Sequence, residues 1–211
     1  MAHALSFKPK QVTKKLLSDL QDRAHDVIIS RYGLDDEERK TLETIGEKYG
    51  ITRERVRQIE NAAIAMIRKG GSFKEHTGVF GELEKMLHSM GAVVGEDEFL
   101  SAIAKDKVTQ NHIHFYLVLG DAFTKHKEDD HFKSRWAVKK EVAESVHTAL
   151  KNVYSSLTDD ELVAEQDIIE KFLTHLQDLN GEYKTEEALK RWLSLSKMLA
   201  RNPLGEWGKA T

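Results

Sequence analysis

Apolar residues recur three and four positions apart along most of this chain, which is the spacing of amphipathic helices. Between Val12 and Tyr32 the stripe Leu16, Leu17, Leu20, Ala24, Val27 and Ile28 predicts one or two helices. Residues 1–10 lack such a stripe and read as a loose tail, and Gly33–Arg39 reads as a polar turn. A short helix is predicted over Leu42–Tyr49, because Thr41 can cap its first N–H groups and Gly50 can end it in the left-handed conformation. A second helix, capped by Thr52 and with Glu54 in its first turn, is predicted to run to Lys69. Gly70-Gly71-Ser72 then reads as a linker. Gly46 sits in the middle of the short helix, where glycine costs about 1 kcal/mol against alanine. Close passage of the second helix, leaving no room for a side chain, accounts for that choice.

The two helices and their tight turn match a helix-turn-helix pattern. At 100° per residue, Arg53, Glu54, Arg57, Gln58 and Asn61 of the second helix fall in one sector of about 140°. Val56, Ile59, Ala63, Met66 and Ile67 fall on the other side and are expected to pack on Ile45, Tyr49 and Ile51. The polar sector has the side chains that read base edges in the major groove. Arg takes guanine O6 and N7, Gln takes adenine N6 and N7, and Glu accepts from cytosine N4. The N-terminal part of the second helix is the part that enters the groove in such motifs. Arg53, Glu54, Arg57 and Gln58 are therefore the candidate base-reading residues.

The segment from about Leu20 to Lys69 resembles region 4 of the sigma-70 family of bacterial transcription initiation factors. The likeness rests on Arg31-Tyr-Gly-Leu34, on Thr41–Glu60 with its specific Thr52–Glu60 string, and on an upstream helix containing Arg23. The resemblance implies contact with the upstream promoter hexamer, the −35 element. It also implies that Thr41, Leu42 and Thr52 approach phosphates and that Arg23 and Arg31 touch the DNA backbone. Ala62 stands where the family usually has Lys, and the basic helix end is reduced to Arg68 and Lys69. The likeness covers about a quarter of the chain and lies at its start, whereas region 4 comes last in sigma factors. The expectation is a regulator that uses the module and is not a complete sigma factor.

Charge changes the picture in one respect. The chain carries a net −3, but residues 1–77 hold a net +3, so positive charge concentrates on the module expected to meet phosphate. There is no cysteine, which excludes disulfides and thiolate metal sites. No apolar run approaches the ~18 residues of a membrane span, and no signal-peptide pattern opens the chain. The expected location is cytoplasmic, on the nucleoid.

The remainder reads as two copies of one plan. In the first, helices near Val79–Met90, Asp97–Ala104 and Thr109–Leu119 enclose a short strand at Ala92–Val94, and a ribbon of Ala122–Lys125 and Phe132–Val138 follows. In the second, helices near Val138–Leu157, Gln166–Leu176 and Thr185–Leu195 flank a short stretch at Glu161–Ala164. A ribbon of Lys197–Ala200 and Gly205–Ala210 closes it, and Trp136 and Trp207 fall at equivalent places. This order resembles the winged-helix fold. The expected fold is mainly α: a helix-turn-helix domain at 1–72 and winged-helix-like domains at 73–137 and 138–211. The last strand stops soon after Trp207, as if cut short. The rival reading is a single helical bundle.

Among the winged-helix units, the second is the better DNA candidate, through Lys184, Lys190, Arg191 and Arg201. The first carries Gln110, Asn111, His112 and His114 on its third helix and an acidic wing tip at Glu128–Asp130, which suits a protein contact. His126 and His131 flank Asp129 and Asp130, but their spacing matches no metal-site pattern. No metal, cofactor or catalytic residue is expected. Two functions compete. One is a sequence-specific regulator bound to double-stranded DNA. The other is an adaptor that docks on the flap of RNA polymerase, as the resemblance implies, or on another protein partner, without sequence-specific DNA reading.

Overall fold

A computed structural model of the protein describes residues 4–210. Helices α1 (Pro9–Leu16), α2 (Asp22–Tyr32), α3 (Leu42–Tyr49), α4 (Arg53–Lys69) and α5 (Gly71–Glu75) come first. The first copy follows as α6 (Thr77–Ser89), β1 (Val93–Gly95), α7 (Glu96–Ile103), α8 (Lys107–Leu119), β2 (Thr124–His126) and β3 (Arg135–Ala137). The second copy is α9 (Lys140–Ser156), α10 (Glu165–Thr174), α11 (Glu186–Leu195), β4 (Leu199–Arg201) and β5 (Trp207–Lys209), with a 3-10 turn at Gly181–Tyr183. The fold is mainly α, with small antiparallel ribbons. The first sheet runs in the order β1-β3-β2. In the second copy Val163 pairs with Trp207 of β5, and β5 pairs with β4, which repeats that order. Both copies therefore carry the strand arrangement of a winged helix.

The chain divides into two compact units. The first holds the residues up to Leu83 together with Leu100–Asp121, and the second holds Glu84–Phe99 and everything from Ala122 onward. Neither expected border, after 72 or after 137, coincides with these divisions, and the elements of the first copy are shared between both units.

In the first unit, α2, α3 and α4 close on a small core of Val27, Leu42, Ile45 and Val56, against which Tyr49, Ile51 and Ile59 pack. A Cβ on Gly46 would stand 2.6 Å from the Ile51 carbonyl oxygen. The mid-helix glycine therefore lets the turn into α4 lie against α3. Helix α8 supplies the other wall, with Ile113, Phe115, Tyr116, Leu117 and Leu119 all buried. Its polar residues are buried too. Asn111 donates to the carbonyls of Gly33 (3.0 Å) and Glu37 (3.1 Å) and accepts from Arg39 (2.8 Å). His112 Nε2 lies 3.0 Å from the Leu34 carbonyl, which can only accept, so Nε2 carries the proton and Nδ1 accepts from Thr13 at 2.6 Å. Burial holds the His112 ring below the ordinary histidine pKa, and therefore neutral.

Three local expectations are corrected here. The tail is shorter than expected: α1 begins at Pro9, and Phe7 packs edge-on against Tyr116. The first three residues of that expected tail lie outside the described residues. The expected linker opens α5, which packs against α4 and α1. On α4, Met66 is half exposed, while Glu60 takes a place on the buried face and accepts from the Tyr32 hydroxyl at 2.8 Å.

In the second unit, α9, α10 and α11 pack around Val146, Leu150, Phe172 and Trp192. Phe132, from the ribbon loop of the first copy, enters this core. Its neighbours Lys133 and His131 pair with Leu195 and Lys197 at the end of α11. The buried Arg135 guanidinium anchors that loop, donating to His147 Nε2 at 2.7 Å and to the Lys133 carbonyl at 2.9 Å. Burial, with Arg135 and His126 alongside, pulls His147 down to about 4.

Two substitutions test the first unit. Gly46→Ala forces a methyl into backbone and should cost about 1–3 kcal/mol, more than the helix propensity it gains. Asn111→Ala leaves buried carbonyls bare and should cost a similar 1–3 kcal/mol in urea unfolding. For pH, the signs of His112 and His147 agree. Their folded pKa values are depressed, so the stability they contribute is complete above the unfolded value of about 6.5 and drains as pH falls. For His147 the loss runs down to about pH 4. A thermal midpoint that stays level between pH 7 and pH 5 would contradict this.

Candidate nucleic-acid interface

The polar face of α4 is built from its start. The Thr52 hydroxyl accepts the Arg55 N–H at 3.1 Å, and Thr41 caps α3 in the same way with the Thr44 N–H at 3.1 Å. Gly50 ends α3 with φ of 62°, the left-handed conformation expected from the sequence. These caps fix the start of α4, which lies against α3: a Cβ on Gly46 would stand 3.6 Å from the Arg53 nitrogen.

Arg53, Glu54, Arg57 and Gln58 are all exposed on that first stretch of α4. They are not idle. Arg57 grips Glu54 with two hydrogen bonds, at 2.9 and 2.7 Å, and this holds the Glu54 carboxyl below the usual carboxylate range. Arg53 reaches back to Glu43 of α3 at 3.0 Å. Gln58 accepts from Arg55 at 3.1 Å. Sequence reasoning passed over Glu43 and Arg55, although a first-turn glutamate on α3 and an arginine three residues before Gln58 were there to be read.

The residues expected at phosphate are placed less uniformly. Arg23 is exposed and lies over the Tyr49 ring at 5.6 Å, while the Tyr49 hydroxyl donates to Asp26. Arg31 is half-buried, donating to the Lys40 carbonyl at 3.1 Å beside the Glu60 carboxylate. The side chain of Leu42 is buried and cannot itself meet a phosphate. The hydroxyls of Thr41 and Thr52 are engaged as caps.

The other candidate surfaces are differently occupied. On α8, Asn111 and His112 are buried, and Gln110 donates to the Ala104 carbonyl. On α11, Lys190 pairs with Glu165 (3.1 Å) and Glu186 (2.8 Å), and Arg191 pairs with Glu98 (2.9 Å). Arg201 also pairs with Glu165 at 3.1 Å, and Lys184 donates to the Leu176 carbonyl. At the ribbon tip of the first copy, Asp129 accepts the backbone N–H groups of His131 and Phe132 and faces Arg135, and Glu128 pairs with Lys197. No group of three metal-ligating side chains comes together among the described residues. None of their helices is long and apolar enough to cross a membrane.

Residues 16–69 match the family described as Sigma-70, region 4. Over 55 residues the chain is 51% identical to the RNA polymerase sigma factor SigA of Nostoc sp. (strain PCC 7120), an alignment that covers 26% of this chain. The chain spans only 14% of the length of that relative. The matched segment carries α2, α3 and α4, and the elements from α5 onward lie outside it.

Proposed function

We propose that the protein is a sequence-specific DNA-binding transcription regulator that reads a −35-like promoter element with α4. The observation that carries this reading is the exposed set Arg53, Glu54, Arg57 and Gln58 at the capped start of α4, inside a region 4 module. Arg57 and Arg53 take guanine edges, Gln58 takes an adenine, and Glu54 accepts from a cytosine. Arg23 and the outward N–H groups at the starts of α3 and α4, next to Thr41, Leu42 and Thr52, take phosphates. Arg31, tied to Glu60, supports this backbone contact mainly by fixing the approach of α2 to α4.

A second reading is favoured by one observation. Leu20, Ala24, Ile59, Ala62 and Met66 line an apolar groove of about 290 Å³ with Arg23 and Arg55 beside it. Ala62, in place of the usual Lys, extends its apolar wall. Such a groove suits an apolar helix of a partner, and the sigma factor relative makes RNA polymerase the natural one. On this reading the module is an adaptor on the polymerase flap.

Selection of binding sites from random duplexes decides between the two. Arg57→Ala should cost about 1–3 kcal/mol on the selected duplex and relax base preference at one position. A wild-type protein that binds selected and scrambled duplexes equally at low salt would sink the regulator reading. Capture of the polymerase flap, abolished by Met66→Glu, would then favour the adaptor.

A further inference from the structure

We propose that α1 is a second DNA contact, a lysine face that takes phosphates of duplex flanking the segment read by α4. The proposal rests on the reading that α4 grips duplex DNA. At 100° per residue, Lys10, Lys14, Gln11 and Lys15 sweep about 140° of the helix, and Lys8 stands at its N-cap. Val12, Thr13 and Leu16 fill the opposite side and are buried. The four lysines are exposed, and α1 contains no acidic residue. None of them has an ion pair among the described residues. Elsewhere Lys125, Lys171, Lys190, Lys197 and Lys209 all meet carboxylates. The Asp106 carboxylate, which caps α8, feels the charge of Lys10 without forming an ion pair with it, and Asp19 follows the helix in sequence.

The chemistry selects the partner. Protein interfaces are depleted in lysine and anchored by apolar and aromatic side chains, and this face has neither. Single strands need aromatic platforms for their bases, and this face has none. Lysine is a hydrated point charge that suits a phosphate row without reading sequence. Lys10 and Lys14 are separated by about 6 Å of helix rise, roughly two phosphate steps at about 3.4 Å each along one strand. Like charges packed this closely repel one another until a polyanion neutralises them. The end of α1 approaches the far end of α4, where Asp19, Met66, Lys69 and Gly70 line one hollow. The duplex reached by α1 is therefore flanking sequence, and not the groove occupied by Arg57.

The test compares the whole protein with its Lys8→Gln/Lys10→Gln/Lys14→Gln/Lys15→Gln variant on a duplex that extends beyond the selected site. The slope of log affinity against log salt should become shallower by about 2–4, at about 0.9 for each phosphate that the variant no longer neutralises, with base preference unchanged. An unchanged slope overturns the proposal. Should the fourfold variant unfold, the Lys8/Lys10 and Lys14/Lys15 pairs are substituted separately, each expected to give about half the change. The two readings fail separately. If Arg57→Ala abolishes base preference while the lysine variant leaves the slope unmoved, α1 is not a contact. If the wild-type protein has no base preference but a steep slope that the lysine variant flattens, the base-reading proposal fails and the α1 face stands.

Discussion

Between α2 and α3 the chain runs through residues 33–41 without helix or strand, and its carbonyls must find partners elsewhere. The carbonyls of Gly33, Leu34 and Glu37 find them on α8, in Asn111 and His112. A buried carbonyl left bare costs about 1–3 kcal/mol, so α8 is a structural requirement of the first unit. Arg68, near the end of α4, fixes the other end of α8 by donating to the carbonyls of Leu119 and Val118. The basic end of α4 is thereby tied into the fold. The third helix of the first winged-helix copy becomes a strut for the helix-turn-helix, and its Asn111 and His112 are spent on backbone carbonyls instead of bases.

On α4 the same physics has the opposite result. The ion pairs at its start join side chains that are all more than half exposed: 52% and 58% for Arg57 and Glu54, 69% and 53% for Arg53 and Glu43. Exposed pairs of this kind contribute about 0–1 kcal/mol. They hold the arginines in order and give them up easily, because either partner regains water on separation. A bidentate contact to the right base is worth about 1–3 kcal/mol of discrimination. On the proposed base-reading role, such an exchange would favour the right sequence and be roughly neutral on the wrong one.

What can be read in the sequence is set by short-range physics. Thr41, Thr52, Gly50 and the 3.6-residue stripes act within a turn or two of themselves, and the helices stand within a few residues of where those signals put them. Gly46 is legible because glycine in mid-helix demands a close neighbour, and the Ile51 carbonyl is that neighbour. The four residues of the α4 face are legible for the same reason. Long-range pairing is not. Gln110, Asn111, His112 and His114 have the look of a protein-contact face, and nothing local says that Gly33 and Leu34 will claim two of them. Glu60 has the look of a surface residue until Tyr32 supplies its partner from another helix. Gly70-Gly71-Ser72 has the look of a linker because glycine signals act locally, while the packing of α5 on α1 and α4 does not.

Exposure also separates α4 from α11, a helix that likewise carries cations on its outer face. Glu165 keeps only 29% of its side-chain surface and receives both Lys190 and Arg201. Arg191, at 28%, is held by Glu98. Turning these cations toward phosphate would strand a half-desolvated carboxylate, and the cost of that grows with burial. The approaching phosphate would also meet Glu186 and Glu187 in the first turn of α11, where the helix start would otherwise attract it. Charge type alone makes α11 look like a DNA surface. The solvent exposure of the partners separates the two: the cations of α11 are held by half-desolvated carboxylates, whereas Arg53 and Arg57 at the start of α4 are held loosely.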